Sequence, residues 1–230
     1  MHINFSHIEF SYPGSRTPVL RDLCLNIDTP GFHALFGPSG VGKTSLARLI
    51  SGDLSARRGE IHANGLSAIL YTHNHERLPG WASIGRHLDR MTPDGAVGLK
   101  DELVEKFGLS GLLNQRFHQL SLGQQNRTNL LRYLIQDFQM LIMDESLANV
   151  DEQTRGRIMV TIKETFPHAI FLYISHNLSE VARYAHQIWV LRDAAKSPQA
   201  VLVHGQNHSA SQETDPVALK QTMLEMIHAA

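Results

Sequence analysis

A chain of 230 residues can bury a substantial core as one compact domain with a small inserted subdomain, and 42% apolar with 19% charged residues is an ordinary globular composition. A formal net charge of −1 gives no basic excess of the kind a nucleic-acid surface shows, so no nucleic-acid partner is expected. Nowhere do 18 apolar residues run together, and the N-terminal stretch has neither the basic start nor the apolar core of a secretory signal, so any membrane role is expected to come through another polypeptide.

Cys24 is the only cysteine, which excludes an internal disulfide; its place between Leu23 and Leu25 predicts a small buried thiol. The 14 histidines are mostly scattered singly, and His73 with His75 is a weak two-ligand pattern, so a metal site built on histidine is not expected.

From Ile3 to about Ile27, short apolar stretches alternate with polar and turn residues, which predicts antiparallel strands. Phe32 to Phe36, Met140 to Met143, Ile170 to Ile174 and Ile188 to Leu191 are nearly continuous apolar runs, as strands covered on both faces of a parallel sheet read. Helical patterns separate them at Leu46 to Ile50, Leu130 to Leu134 and Arg155 to Phe166. The order implies an α/β fold with a mostly parallel, doubly wound sheet and an antiparallel β layer at its N-terminal edge.

From about Leu78 to Leu120 the glycines, prolines and short amphipathic pieces, such as Asp101 to Phe107, read as an inserted α-helical subdomain. With the helix that follows, it reaches about residue 135. A polar tail, about 193–230, carries a last amphipathic helix at Pro216 to Ile227.

Gly37-Pro38-Ser39-Gly40-Val41-Gly42-Lys43-Thr44 fits G-x-x-x-x-G-K-[ST] in full, directly after one predicted strand and before a helix that opens at Ser45. The glycines let backbone N–H groups wrap phosphates, and the helix N-terminus adds partial positive charge. Lys43 is expected at the β- and γ-phosphates and the Thr44 hydroxyl on Mg²⁺. The bland alternative is a glycine-rich turn with a chance lysine. Met140 to Met143 leads into Asp144-Glu145, at the carboxyl edge of the sheet where open α/β folds bind ligands. Asp144 is expected to hold the Mg²⁺ hydration shell, and Glu145 to act as general base on the attacking water.

Together these residues strongly resemble the nucleotide-binding domain of ABC transporters, a P-loop NTPase fold. Leu120-Ser121-Leu122-Gly123-Gln124-Gln125 is similar to that family's LSGGQ signature, and Ser121 with Gln124 also fits a capping box at a helix start. The resemblance implies that Ser121, Gly123 and Gln124 meet ATP held by the opposite subunit. It also implies that Asp151, in Leu147-Ala148-Asn149-Val150-Asp151, crosses the dimer interface. It assigns His176 to the γ-phosphate and Tyr12 to adenine, although a strand-end histidine or a packed tyrosine would each be ordinary alone.

Three departures stand out: Leu122 for the signature's first glycine, Ser146 for the usual proline, and Asn74 where the Mg²⁺-contacting glutamine belongs. Arg77-Leu78-Pro79-Gly80-Trp81 resembles a run in importer subunits for nitrate, sulfonates and taurine, or is simply a buried turn anchored by Trp81.

The resemblance runs from about Ile3 to Arg192. It implies an ATPase of a multi-chain importer on the cytoplasmic face of the membrane, peripheral through transmembrane permease subunits. Its partners would be a second copy or a similar ATPase chain, and a substrate-binding protein. The alternatives are a non-transport ABC ATPase and a weakly catalytic regulatory nucleotide-binding module.

Overall fold

The computed structural model describes residues 1–210 and 214–230; the expected C-terminal tail therefore includes three positions, 211–213, outside the described residues. Strands β1 (His2–Phe10), β2 (Leu20–Ile27) and β4 (Arg58–Asn64) form an antiparallel sheet in the order β2-β1-β4. The main sheet has the order β5-β6-β7-β3-β8-β9. It is built from β3 (Gly31–Phe36), β5 (Ile69–His73), β6 (Met140–Asp144), β7 (Ile170–Ile174), β8 (Gln187–Leu191) and β9 (Ala200–His204). All its pairs are parallel except β8 with β9, where the polar tail returns as an antiparallel edge that the sequence pattern did not announce.

The β6 run is buried throughout because its two faces feed two cores. Met140 and Ile142 meet Leu46 and Ile50 of α1 (Lys43–Ile50) and the apolar face of the antiparallel sheet. Leu141 and Met143 face the opposite core, with α4 (Leu122–Leu134) and α5 (Glu152–Thr165). Between β5 and β6 lie α2 (Ile84–Met91), α3 (Val97–Lys106), two 3₁₀ turns and α4, and no strand. Helices α6 (Leu178–Tyr184) and α7 (Pro216–Ala229) complete the helical layer, α7 covering the Pro216 to Ile227 pattern.

In β1 the buried residues are Ile3, Phe5, Ile8 and Phe10, so the period-2 alternation slips by one between Phe5 and Ile8. Ser6 and His7 there oppose Cys24 alone, and the register shifts back between Ile8 and Phe10, where Arg21 and Asp22 of β2 oppose Glu9. The two offset bulges keep every apolar side chain of the pair inward. They also correct the expectation for Cys24, which is exposed: β2 turns Leu23 and Leu25 inward and so turns the residue between them outward.

The buried-turn reading of Arg77 to Trp81 is corrected too. Leu78 is the buried residue of that run, at 7% exposure, whereas Trp81 is 63% exposed with the Arg90 guanidinium over its ring.

Candidate functional site

The chain leaves β3 at Phe36 and turns through Gly37, Gly40 and Gly42, all with positive φ. At Gly37 the need is steric, since a Cβ would lie 2.3 Å from the Leu191 carbonyl oxygen. Helix α1 then starts at Lys43 with Gly42 as N-cap, so its free N–H groups face the turn. The Lys43 ammonium donates to the carbonyls of Gly37 at 2.7 Å and Pro38 at 2.8 Å, folding back across the cradle. Burial lowers the Lys43 pKa, opposed by the carboxylates of Glu145 and Asp144.

Asp144 ends β6 and is buried. Its Oδ2 accepts from the Thr44 hydroxyl at 2.7 Å and from the Tyr71 hydroxyl at 3.1 Å. Burial, then the charge of Asp144, pushes the Tyr71 phenol well up, so it stays a donor. Glu145 turns the chain at φ 51, a conformation unfavourable for a residue with a side chain. Its Oε1 lies 3.1 Å from His176 Nδ1, just beyond β7. Tyr12 packs edge-on against Phe10, and its hydroxyl sits 2.9 Å from Ser45 Oγ.

An open cavity of about 820 Å³ brings Tyr12, Ser39, Gly40, Lys43, Thr44 and Ser45 together with Asp144 and Glu145. Volume, backbone donors and a cation at a helix N-terminus fit a nucleoside triphosphate, and an all-oxygen hydroxyl–carboxylate pair fits Mg²⁺. His73, Asn74 and His75 also line the cavity. His73 is in register with Asp144, and Asn74 is the first residue past the strand. Tyr71 escaped the sequence reading. The available signal was its place two residues before His73, which puts both on one face of β5.

Ser121, Gly123, Gln124 and Asp151 do not border this cavity. Ser121 caps α4 in the expected box: its hydroxyl accepts from the Gln124 N–H, while Gln124 Oε1 accepts from the Ser121 N–H at 2.8 Å. Gly123 packs against the loop after β6, where a Cβ would come within 2.4 Å of the Asn149 carbonyl oxygen. Asp151 caps α5, accepting from the Thr154 N–H at 2.9 Å, and that bond lowers its pKa. Ser146, in the place of the usual proline, donates to the Thr72 carbonyl and ties this loop to β5.

Residues 20–148 match the family described as ABC transporter. The chain is 34% identical to the molybdenum import ATP-binding protein ModC of Saccharophagus degradans, over 94% of this chain and 66% of that protein. It is 33% identical to the aliphatic sulfonates import ATP-binding protein SsuB 2 of Paraburkholderia xenovorans, over 90% of this chain and 81% of that one. It thus spans about two thirds of that molybdenum-import relative and half of the one from Brucella suis. The ATP-binding cassette MJ0796, in a dimeric post-hydrolysis structure with ADP and Pi, superposes with a TM-score of 0.71 at 20% identity, over 84% of this chain and 95% of that chain. Such a likeness establishes the shared α/β fold, and the family match over more than half the residues establishes kinship: this chain belongs to the ABC transporter family.

Proposed function

We propose that this chain binds ATP with Mg²⁺ and hydrolyses it as one half of a dimer, energising import of a small solute through separate permease subunits. The observation that carries the reading is the gathering of Lys43, Thr44, Asp144 and Glu145 in one cavity, with Thr44 hydrogen-bonded to Asp144. Mg²⁺, when bound, spreads the charge of the terminal phosphates; Thr44 and Asp144 would hold it, with Asn74 reaching from the sheet edge.

Lys43 exchanges its two carbonyl partners for phosphate oxygens. Residues from Gly37 to Ser45 present N–H groups to the phosphates, and Tyr12 stacks on adenine. Glu145 accepts a proton from water as the water oxygen bonds the γ-phosphorus and the bridging bond to ADP breaks. His176 holds the Glu145 carboxylate and contacts the γ-phosphate.

The N-terminus of α4 and Asp151 lie outside the chain's own cavity. In the proposed dimer Ser121, Gly123 and Gln124 complete the nucleotide site of the opposite subunit, which is a second copy or a similar ATPase chain. Residues from about 78 to 135 act as a helical subdomain, and the Asn74 to Trp81 segment, with Trp81 exposed, meets the permease. The relatives are named for import of molybdenum and of aliphatic sulfonates. This supports import of a small solute; an anionic cargo, its delivery by a substrate-binding protein and a peripheral place at the cytoplasmic face of the membrane are further parts of the proposal.

The test is steady-state ATP turnover of the purified chain, with and without permease subunits. Lys43→Ala should abolish turnover by removing the phosphate clamp. Glu145→Gln should slow it by about 10²–10⁴-fold, the usual share of a general base, while ATP binding persists and a dimer accumulates in sedimentation. Wild-type turnover in Lys43→Ala, or a Glu145→Gln chain that stays monomeric at saturating ATP, overturns the proposal.

A further inference from the structure

We propose that His7, Asp22 and Cys24 form a binding site for one thiophilic divalent metal ion of the Zn²⁺ class, on the solvent face of the β2-β1-β4 sheet. The site uses none of the residues of the nucleotide cavity and stands independently of the ATPase reading.

The two offset bulges assemble it. His7, in the β1 bulge, has φ 54, and Asp22, in the β2 bulge, has φ 50. The first bulge directly opposes Cys24. All three side chains therefore leave the same face of the hairpin, and one ligand atom from each lies within 4.8 Å of the others. His7 Nδ1 is 2.6 Å from Asp22 Oδ1, and the His7 backbone N–H points at Cys24 Sγ, 3.3 Å away. Gly59 of β4 fits behind the bulge, where a Cβ would lie 2.4 Å from the His7 carbonyl oxygen, so the backbone there is held from the far side.

An imidazole, a carboxylate and a thiolate form the mixed N, O, S set that Zn²⁺ accepts in a tetrahedron, and three protein ligands leave the fourth position to water. Around such an ion the ligand atoms stand about 3.4–3.5 Å apart. The His7–Asp22 pair thus opens by less than about 1 Å from its hydrogen-bonded distance, which side-chain rotation supplies. On binding, the Cys24 S–H bond is exchanged for an S–Zn bond and the proton passes to solvent; no electron moves. The His7 N–H then donates to the thiolate, an outer contact that favours the charged sulfur. Mg²⁺ prefers oxygen throughout, so this site and the Thr44–Asp144 pair select different ions. A bound ion would pin the two strands that flank the Tyr12 loop.

The experiment titrates the chelator-treated full chain, free of nucleotide, with Zn²⁺ by calorimetry and with Co²⁺ by absorption. One equivalent should bind per chain, and Co²⁺ should produce a thiolate-to-metal charge-transfer band. Cys24→Ser should abolish the band and weaken Zn²⁺ binding by more than the roughly 10–100-fold that loss of an outer partner costs. His7→Asn and Asp22→Asn should weaken it as well; asparagine tolerates positive φ, so both variants keep the bulges. Absence of stoichiometric uptake overturns the proposal. So does uptake that survives Cys24→Ser, or uptake that follows His73→Ala, which would place the ion at the sheet edge beside Asp144.

Discussion

Asn74 and His73 are adjacent in sequence, but the sheet holds them differently. His73 is the last paired residue of β5, in register with Asp144, whereas Asn74 begins the loop. In its proposed role Asn74 carries its amide one methylene short of a glutamine's, so contact with the reacting centre would depend on the loop moving inward. Asn74→Gln should leave ATP affinity nearly unchanged and alter turnover, most visibly with permease subunits present, because misplacement at the reacting centre changes rate rather than ground-state binding. If turnover instead responds to His73→Ala and to neither Asn74→Gln nor Asn74→Ala, the contact belongs to His73. The cradle from Gly37 to Thr44 was legible because its requirement is local: glycines where φ is positive, then a helix start. Gly123 was legible as part of the signature, but its steric reason was not, because Asn149 approaches from 26 residues away only when α4 packs on the loop after β6.

Glu76 joins the loop after β5 to α4, two elements that both have a part in the proposed mechanism. Its side chain is 13% exposed and pairs with Arg132 of α4, itself 14% exposed. The Tyr133 hydroxyl donates to the same carboxylate oxygen at 2.9 Å, the other oxygen accepts from the His73 N–H at 3.1 Å, and the Glu76 carbonyl takes the Asn129 amide at 3.1 Å. One residue therefore fastens the loop after β5 to α4, the helix whose N-terminus is proposed to complete the opposite subunit's site. Glu76→Ala strands a largely buried guanidinium and should destabilise the fold by up to about 3–5 kcal/mol in urea denaturation. Glu76→Leu combined with Arg132→Leu, which leaves no charge unpaired, should recover most of that loss. A single variant within about 0.5 kcal/mol of wild type would show the pair to be solvated. The link to α4 was not readable from Glu76 itself, because its partners on that helix lie more than fifty residues away.

Across the molecule, two cores share one central sheet, and buried polar groups within those layers give stability its pH dependence. His33 of β3 is fully buried, with Nε2 2.9 Å from the Thr29 carbonyl oxygen. Burial lowers its pKa below 6.5, more than the Thr29 carbonyl raises it, and burial lowers that of His87 likewise. Each is therefore neutral in the folded chain where the unfolded chain already takes up a proton. Their contribution is present above pH 6.5 and is lost as pH falls below it; for the fully buried His33 the limiting slope is about 1.4 kcal/mol per pH unit, and the partly exposed His87 adds less. Urea midpoints measured from pH 7.5 down to pH 5 should fall more steeply for the wild type than for His33→Gln. Equal slopes would remove His33 as a source.

The apolar runs at Phe32, Met140, Ile170 and Ile188 were sufficient to announce a covered parallel sheet, because a strand buried on both faces has no polar alternation left to show. The phosphate cradle and the paired acids were equally explicit, since each depends on a few consecutive residues and on the element ending or beginning beside them. The antiparallel edge at β9 and the Tyr71 contact with Asp144 depended on which distant segment came to lie alongside, whereas the exposure of Cys24 follows from the alternation of β2, with Leu23 and Leu25 turned inward. Local backbone preference sets what a segment can be. Register, bulges and the packing of one layer on another set where each side chain points, and those are properties of pairs of segments that no single stretch of sequence contains.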